Sequence, residues 1–264
     1  NAFSLNMKIK NALKILCVLL FINETVLANQ IRNLTVLAEP NMTGALTRIA
    51  RAFSQKNAVI VSVSFASSSD LIGDIEIGEP ADVFISAHRG WISNLRQKGL
   101  IDIYSISHIA SDAIVLVASN KNKRIPDQLL KKKYPLDEAL QILNGNGIYN
   151  LLIDNRGSSL GLHSAEDINI LSLTNLNVIE KLNEDKTSIL SLVEENDENY
   201  ALLLASQVKD HPNIRILSSL GDHDIFYQAL AVAGDNMETA REFIKFLQTA
   251  KAKKILVDCG FYLE

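Results

Sequence analysis

Short apolar runs typical of β-strands alternate with helical patterns along the chain from residue 33 onwards. Segment 33–38 is an apolar run, 43–55 places apolar residues at helical spacing, and 59–65 has an apolar residue at every second position. The order strand, helix, strand predicts a mostly parallel sheet with helices on both faces. The predicted fold class is therefore α/β.

The second half of the chain continues the alternation. Apolar strand patterns occupy 113–119, 149–155 and 224–234, and a small-residue turn at 156–161 leads into a helical pattern. Apolar residues at helical spacing return after residue 235 and fill the end of the chain. We find no internal repeat and no low-complexity segment.

Size and charge exclude several kinds of function. The chain has 264 residues, 47% of them apolar, and a formal net charge of −4. The length allows one large domain or two smaller ones, and the acidic balance argues against a nucleic-acid partner. The five histidines show no metal-ligand spacing, and Cys17 and Cys259 form no CxxC pair. We therefore predict no directly bound metal ion and no thiol redox chemistry.

The N-terminal segment has the anatomy of a secretory signal peptide. Met7 is the expected start, three lysines follow, residues 15–22 are apolar, and the small residue Ala28 stands at the expected cleavage point. We predict a signal peptide over 7–28 and a mature chain from Asn29. The alternative is an N-terminal anchor, although the apolar stretch is short for a membrane span.

Hydroxyl and small residues gather at several predicted strand-to-helix turns. They are EPNMTG at 39–44, ASSSD at 66–70, NRGSSLG at 155–161 and the similar NEDKTS at 183–188. Ligands of open α/β sheets bind outside the carboxyl ends of the strands, and helix N-termini attract anions. The turns predict an anion site in which Ser68 caps a helix and presents a donor. Each turn taken singly is also explained by an ordinary helix cap.

The run VIVSVSFASSSDLIGDIEIGEPADVFISAHRGWISNL at 59–95 resembles the periplasmic molybdate-binding proteins of ABC importers, through its FASS and PADVFISA motifs. The resemblance continues through LTVLAEPNMTGALTRIARAF at 34–53 and AREFIKFLQTAKAKKILVDCGF at 240–261. It covers most of the mature chain.

The resemblance implies a two-lobed type II periplasmic binding protein, each lobe a mostly parallel sheet flanked by helices. Lobe 1 would comprise 29–112 plus 227–264, and lobe 2 would comprise 113–226. The lobes would close on a tetrahedral oxyanion, molybdate or tungstate, and deliver it to an ABC permease in the inner membrane. The implied protein is a periplasmic monomer without a cofactor and without catalytic activity.

Carried over to this sequence, the binding positions fall on Asn41, Ser68, Leu160 and Lys186. They would hold the anion through its oxygens, with no protein ligand on the metal atom. Leu160 and Lys186 would contribute backbone amides, and the ammonium of Lys186 would either reach the anion or point to solvent. Asn41 replaces a family serine and can still donate, whereas Leu204 replaces a family tyrosine and cannot.

Those departures leave alternatives open. The chain would be a weaker molybdate binder or a paralogue for another anion. A hydrolase using Ser67–Ser69 would need a base within reach, and no GxSxG motif is present. A ligand-sensing domain of a transcription regulator shares the implied fold, but the predicted signal peptide argues against it.

Overall fold

The computed structural model describes residues 32–181, 188–221 and 223–263. Within these ranges the chain forms nine strands, ten α-helices and a 3-10 turn at Pro40–Met42. The strands are β1 Arg32–Ala38, β2 Val59–Phe65, β3 Val83–Ser86, β4 Ile101–Ser119, β5 Tyr149–Ile153, β6 Leu176–Glu180, β7 Asn199–Leu204, β8 Ile214–Ile216 and β9 Asp224–Val232. The helices are α1 Thr43–Asn57, α2 Ser68–Ile77, α3 Arg89–Gln97, α4 Asp127–Lys131, α5 Leu136–Gly145, α6 Ser159–Leu171, α7 Ile189–Glu195, α8 Ala205–Val208, α9 Met237–Leu247 and α10 Ala250–Asp258.

The strands follow the order β2-β1-β3-β9-β4-β7-β5-β6, and β8 pairs with β4 beside this path. β1 is parallel to β2 and β3, and β5 is parallel to β6 and β7. The pairings of β4 and β9 are antiparallel. The predicted α/β fold with helices around a sheet is confirmed, and the parallel pairings lie toward the two ends of the sheet rather than at its centre.

β4 joins the two ends of the sheet. It pairs with β9 as far as Ala113 and with β7 from Ile114 onward. The sequence predicted only its second part, 113–119. Residues 101–112 were missed because polar residues interrupt their apolar pattern. The predicted lobe boundary at residues 112 and 113 coincides with this change of partner, and the division into lobes remains a prediction.

The closing helices return to the first helix of the chain. The ring of Phe53 on α1 lies 5.2 Å from that of Phe243 and 5.4 Å from that of Phe246, both on α9 and both edge-to-face. These contacts add to the burial of the rings. In the described part of the chain, no helix is long and apolar enough to cross a membrane.

The carboxyl ends of two groups of parallel strands lead into helix starts. β1, β2 and β3 lead toward α1, α2 and α3, and β5 leads toward α6. Three antiparallel pairings separate β3 from β7, the parallel neighbour of β5, so β5 runs opposite to the first group. The starts of α2 and α6 meet nevertheless, because the amide of Ser69 donates to the carbonyl of Gly157. Helix N-termini carry unpaired amides and a partial positive charge, so the fold favours an anion where these starts meet.

Candidate ligand-binding site

Two serine pairs, Ser67-Ser68 and Ser158-Ser159, begin α2 and α6 in the same way. The hydroxyl of Ser67 accepts a hydrogen bond from the amide of Asp70 at 3.3 Å, and that of Ser158 accepts one from the amide of Gly161 at 3.0 Å. Both first serines are therefore N-caps. The prediction that Ser68 caps α2 is wrong, because the capping oxygen belongs to the preceding residue.

The second serine of each pair is fully buried and meets the carboxylate of Glu39, which follows β1. The hydroxyl of Ser68 and the amide of Ser159 both donate to Oε1 of Glu39, each at 2.6 Å. Only 4% of the surface of Glu39 is exposed. A carboxylate of the chain itself thus lies where the starts of α2 and α6 converge.

A chain of hydroxyl contacts runs behind this carboxylate. The hydroxyl oxygen of Ser86, at the end of β3, lies 3.1 Å from that of Ser68 and 3.2 Å from that of Ser159. A hydroxyl carries one hydrogen, and that of Ser68 is donated to Glu39. Ser86 therefore donates to Ser68, and this buried serine cluster of Ser68, Ser86 and Ser159 fixes the direction of donation toward Glu39.

Burial raises the pKa of Glu39 above its ordinary value, because removal from water penalises the charged form. The bonds from Ser68 and Ser159 oppose the shift by stabilising the carboxylate, and the negative charge of Asp154 adds to it. The net direction is upward, so a proton on Glu39 costs less than on an exposed glutamate.

A cavity of about 600 Å³ opens at the starts of α2 and α6. Its described walls combine hydroxyl, amide and carboxylate groups with one ammonium group and a set of apolar side chains. They are Glu39, Pro40, Asn41, Ala66, Ser67, Asp70, Asp154, Asn155, Ser158, Leu160, Lys181, Ser188, Ile189, Leu190, Leu203, Leu204 and Gln207. The capping serines of α2, α6 and α7 all face it.

The structure brings the predicted binding residues to this region in different ways. Asn41 and Leu160 line the cavity. Ser68 lies behind Glu39 and outside the lining, whereas its neighbour Ser67 faces the cavity. Lys186 falls outside the described residues. The binding roles of all four residues remain predictions.

Two further details bear on donors at the cavity. The side-chain amide of Asn41 donates to the hydroxyl of Tyr227, so one of its two hydrogens is already engaged. Leu204 lines the cavity with an apolar side chain. Lys181, which the sequence analysis did not single out, supplies the ammonium group of the described lining.

Gly161 allows the start of α6 to approach the preceding loop. A Cβ at this position would lie 2.1 Å from the carbonyl oxygen of Asn155. The same loop holds Gly157, whose carbonyl accepts from the amide of Ser69 at 3.0 Å. This contact ties the loop before α6 to the start of α2.

A second polar cluster links α3 to α6 beside the site. Ligand atoms of His88, His163 and Glu166 lie within 4.8 Å of one another. Nδ1 of His88 accepts from the amide of Gly90 at 3.1 Å, so Nε2 carries the ring hydrogen and faces Glu166. No sequence spacing predicted this cluster, because its three members come together only in the folded chain.

Glu39 is the site residue that sequence reasoning missed. It stands in the turn EPNMTG, which the sequence analysis assigned to the anion site for its small residues. An acidic residue directly after a buried strand, inside a turn predicted to face helix starts, was the available signal. Carboxylates are rarely fully buried unless they are paired, so the sequence alone favoured an exposed side chain.

Over residues 34–262 the chain matches the sequence model of a family described as bacterial extracellular solute-binding protein. The chain belongs to this family. The match includes both serine pairs, Glu39 and all the described walls of the cavity. In this solute-binding protein the cavity is therefore the candidate solute site, and the family is one of binding proteins rather than enzymes.

Relatives and solved structures agree with this assignment. The molybdate-binding protein ModA of Haemophilus influenzae is 28% identical over 237 residues, which cover 86% of this chain and 89% of that protein. ModA of Escherichia coli is 27% identical over 239 residues, covering 88% of this chain and 89% of that protein. A structure titled as the tungstate ABC transporter from Geobacter sulfurreducens superimposes with a TM-score of 0.70 at 16% identity, covering 86% of this chain and 98% of that one.

Proposed function

We propose that this solute-binding protein captures a tetrahedral oxyanion, molybdate or its analogue tungstate, in the cavity at the starts of α2 and α6. The observation that carries the proposal is the convergence of two serine-capped helix starts on one cavity. The two ModA relatives support the choice of anion, because they are named as molybdate-binding proteins.

The physical basis is donation from neutral groups. Amides at helix N-termini and hydroxyl groups surround an anion without a full counter-charge, and each hydrogen bond to a charged group contributes roughly 1.5–3 kcal/mol. Three or four such bonds supply about 5–12 kcal/mol, from which the cost of association is subtracted. The distances between the donor groups then determine which oxyanion fits.

The partners follow from this role. The protein delivers its anion to the permease of an ABC importer and acts as a monomer in the periplasm, with no cofactor and no catalytic step. The nearest base to the hydroxyl of Ser67 is Asp70, whose Oδ2 accepts from it at 2.6 Å. Ser68 is enclosed behind Glu39. Asp70 is thus a base within reach of Ser67, and it is the match to a solute-binding family, rather than this geometry, that favours anion binding over serine-based hydrolysis.

The test is isothermal titration of the protein from Asn29 onward with molybdate, tungstate, sulfate and phosphate. We expect binding of molybdate and tungstate and no heat from sulfate. A matched pair of charge variants locates the site. Lys181→Gln, in the cavity wall, weakens binding by about two- to fivefold, as expected for a partly exposed charge, and Lys209→Gln, outside it, leaves the affinity unchanged. Silence toward all four anions would contradict the proposal.

A second candidate is an anion other than molybdate. It is favoured by two observations, the apolar Leu204 in the cavity wall and the engagement of the Asn41 amide with Tyr227. Both reduce the donors available to a small oxyanion. Binding of phosphate in the same titration, with molybdate and tungstate silent, would select this candidate.

A further inference from the structure

The carboxylate of Glu39 occupies the place that an anion is expected to prefer. Its Oε1 accepts from the hydroxyl of Ser68 and from the first amide of α6, at Ser159, and Glu39 is also one of the residues that line the cavity. An anion that enters the cavity and approaches the same helix starts comes into contact with a carboxylate of the protein.

The other charged groups that line the cavity add to the repulsion between Glu39 and an entering anion. Asp154, after β5, and Asp70, in the first turn of α2, are acidic and line the same cavity. Lys181 supplies the positive charge of the described lining. On the inner side, Tyr227 of β9 is buried and accepts from Asn41 rather than carrying a charge. The described lining of this cavity therefore carries more negative than positive charge.

Two oxygen acceptors in contact need a hydrogen between them. An ionised carboxylate held about 4 Å from a second negative charge reduces affinity by about a thousandfold at the effective dielectric constant of a partly buried site. A single proton on Glu39 removes this repulsion and turns the side chain into a donor. Burial already makes that proton inexpensive.

We infer that Glu39 makes anion binding proton-linked, with one proton held between its carboxyl group and an oxygen of the bound anion. The inference rests on the proposed function and adds a specificity-determining residue to it. A fully ionised dianion such as molybdate enters together with a proton taken from solvent. No covalent bond changes, and the proton returns to solvent when the anion leaves.

The test is titration with molybdate from pH 6 to pH 9.5, in two buffers with different enthalpies of ionisation. Proton uptake per bound anion should rise with pH to about one. The affinity should then fall by about tenfold per pH unit above the pKa of Glu39, because each complex needs one proton. Tungstate should behave in the same way. An affinity that stays constant up to pH 9.5, with equal binding enthalpies in the two buffers, would overturn the inference while leaving the proposed function intact.

Glu39→Gln and Glu138→Gln form the matched pair of variants. Glutamine donates without titrating, so Glu39→Gln should bind molybdate with an affinity that no longer depends on pH. Glu138→Gln should keep the full pH slope, since Glu138 is exposed on α5 and lies outside the cavity lining.

Three further outcomes are decisive. A pH slope that persists in Glu39→Gln would assign the proton to another group and overturn the inference. Binding by Glu39→Gln alone would also overturn it, because Glu39 would then exclude the anion rather than share a proton with it. If neither the wild-type protein nor Glu39→Gln binds molybdate at any pH, the proposed function itself is overturned. If Glu39→Gln fails to fold, judged by circular dichroism, the wild-type profile still decides.

Discussion

The starts of α2 and α6 use the same dipeptide for the same task, but they depend on it differently. Ser67 and Ser158 adopt similar extended backbones, with φ and ψ of −62° and 150° in one and −86° and 158° in the other. Ser68 then donates to Glu39 through its hydroxyl, whereas Ser159 donates through its amide. At α2 the bond to Glu39 comes from a side chain, whereas at α6 the main bond comes from a backbone amide and the hydroxyl of Ser159 adds a smaller contribution.

The surroundings of the two helices differ as well. α6 is pressed against its own preceding loop at Gly161, whereas a Cβ at Gly73 on α2 would meet nothing within 4 Å. Close backbone packing determines the start of α6, and side-chain hydrogen bonds determine the start of α2. The two helix starts have similar sequences, but we expect their stability to respond differently to substitution.

The largest expected effect is on stability, from Gly161→Ala compared with Gly73→Ala. The new methyl group in Gly161→Ala overlaps the carbonyl of Asn155, so the start of α6 must move, and we expect a loss of about 3 kcal/mol. Gly73→Ala should stabilise the protein by about 0.5–1 kcal/mol, because alanine favours a helix interior. Urea unfolding at constant m-value measures both. Equal changes in the free energy of unfolding for the two substitutions would contradict the difference in packing between α6 and α2.

The next prediction distinguishes the bond that the Ser68 side chain donates to Glu39 from the bond that the Ser159 backbone amide donates. Ser68→Ala removes a bond that stabilises the ionised carboxylate, so the pKa of Glu39 should rise further. The alkaline loss of molybdate affinity should then begin at a higher pH. Ser159→Ala keeps its amide and should shift the profile less. The measurement is the titration series from pH 6 to pH 9.5. A larger shift of the pH profile in Ser159→Ala than in Ser68→Ala would contradict this prediction.

The smallest effect concerns the two caps. Ser67→Ala and Ser158→Ala each remove the side-chain oxygen that accepts an amide of the first turn, at a cost of about 1 kcal/mol. Ser158 also donates to Oδ2 of Asp154 at 2.8 Å, and Ser67 donates to Asp70 at 2.6 Å. The closely matched contacts predict closely matched losses in thermal unfolding. A loss above about 2 kcal/mol at one cap alone would show that the helix starts differ at their caps too.

Local pattern predicted much of the fold. β2 was predicted at its observed bounds, and the serine cap of α2 was predicted within one residue of the observed cap, because alternation and helix-start residues act over a few positions. The first part of β4 was missed because it forms by pairing with β9, which lies more than 100 positions away in sequence. Its polar residues, such as Ser111 and Asp112, interrupt the apolar pattern of a strand.

The site was predictable in outline and not in its central contact. The turns that hold Asn41, Ser68 and Leu160 follow the carboxyl ends of strands, as the rule for open α/β sheets predicted, and Asn41 and Leu160 line the cavity. The position of Glu39 between two serine pairs depends on contacts across 29 and 120 positions of the chain. Sequence pattern does not encode which of several polar side chains in these turns becomes buried.

The central claim is that an oxyanion binds where the two serine pairs converge, and the most direct measurement is an anomalous difference map of crystals grown with tungstate. We expect one tungsten peak in the cavity, about 4 Å from the amide nitrogen atoms at the starts of α2 and α6, the distance set by a hydrogen bond to a tungstate oxygen. A tungsten peak elsewhere on the protein, with none in the cavity, would contradict the account.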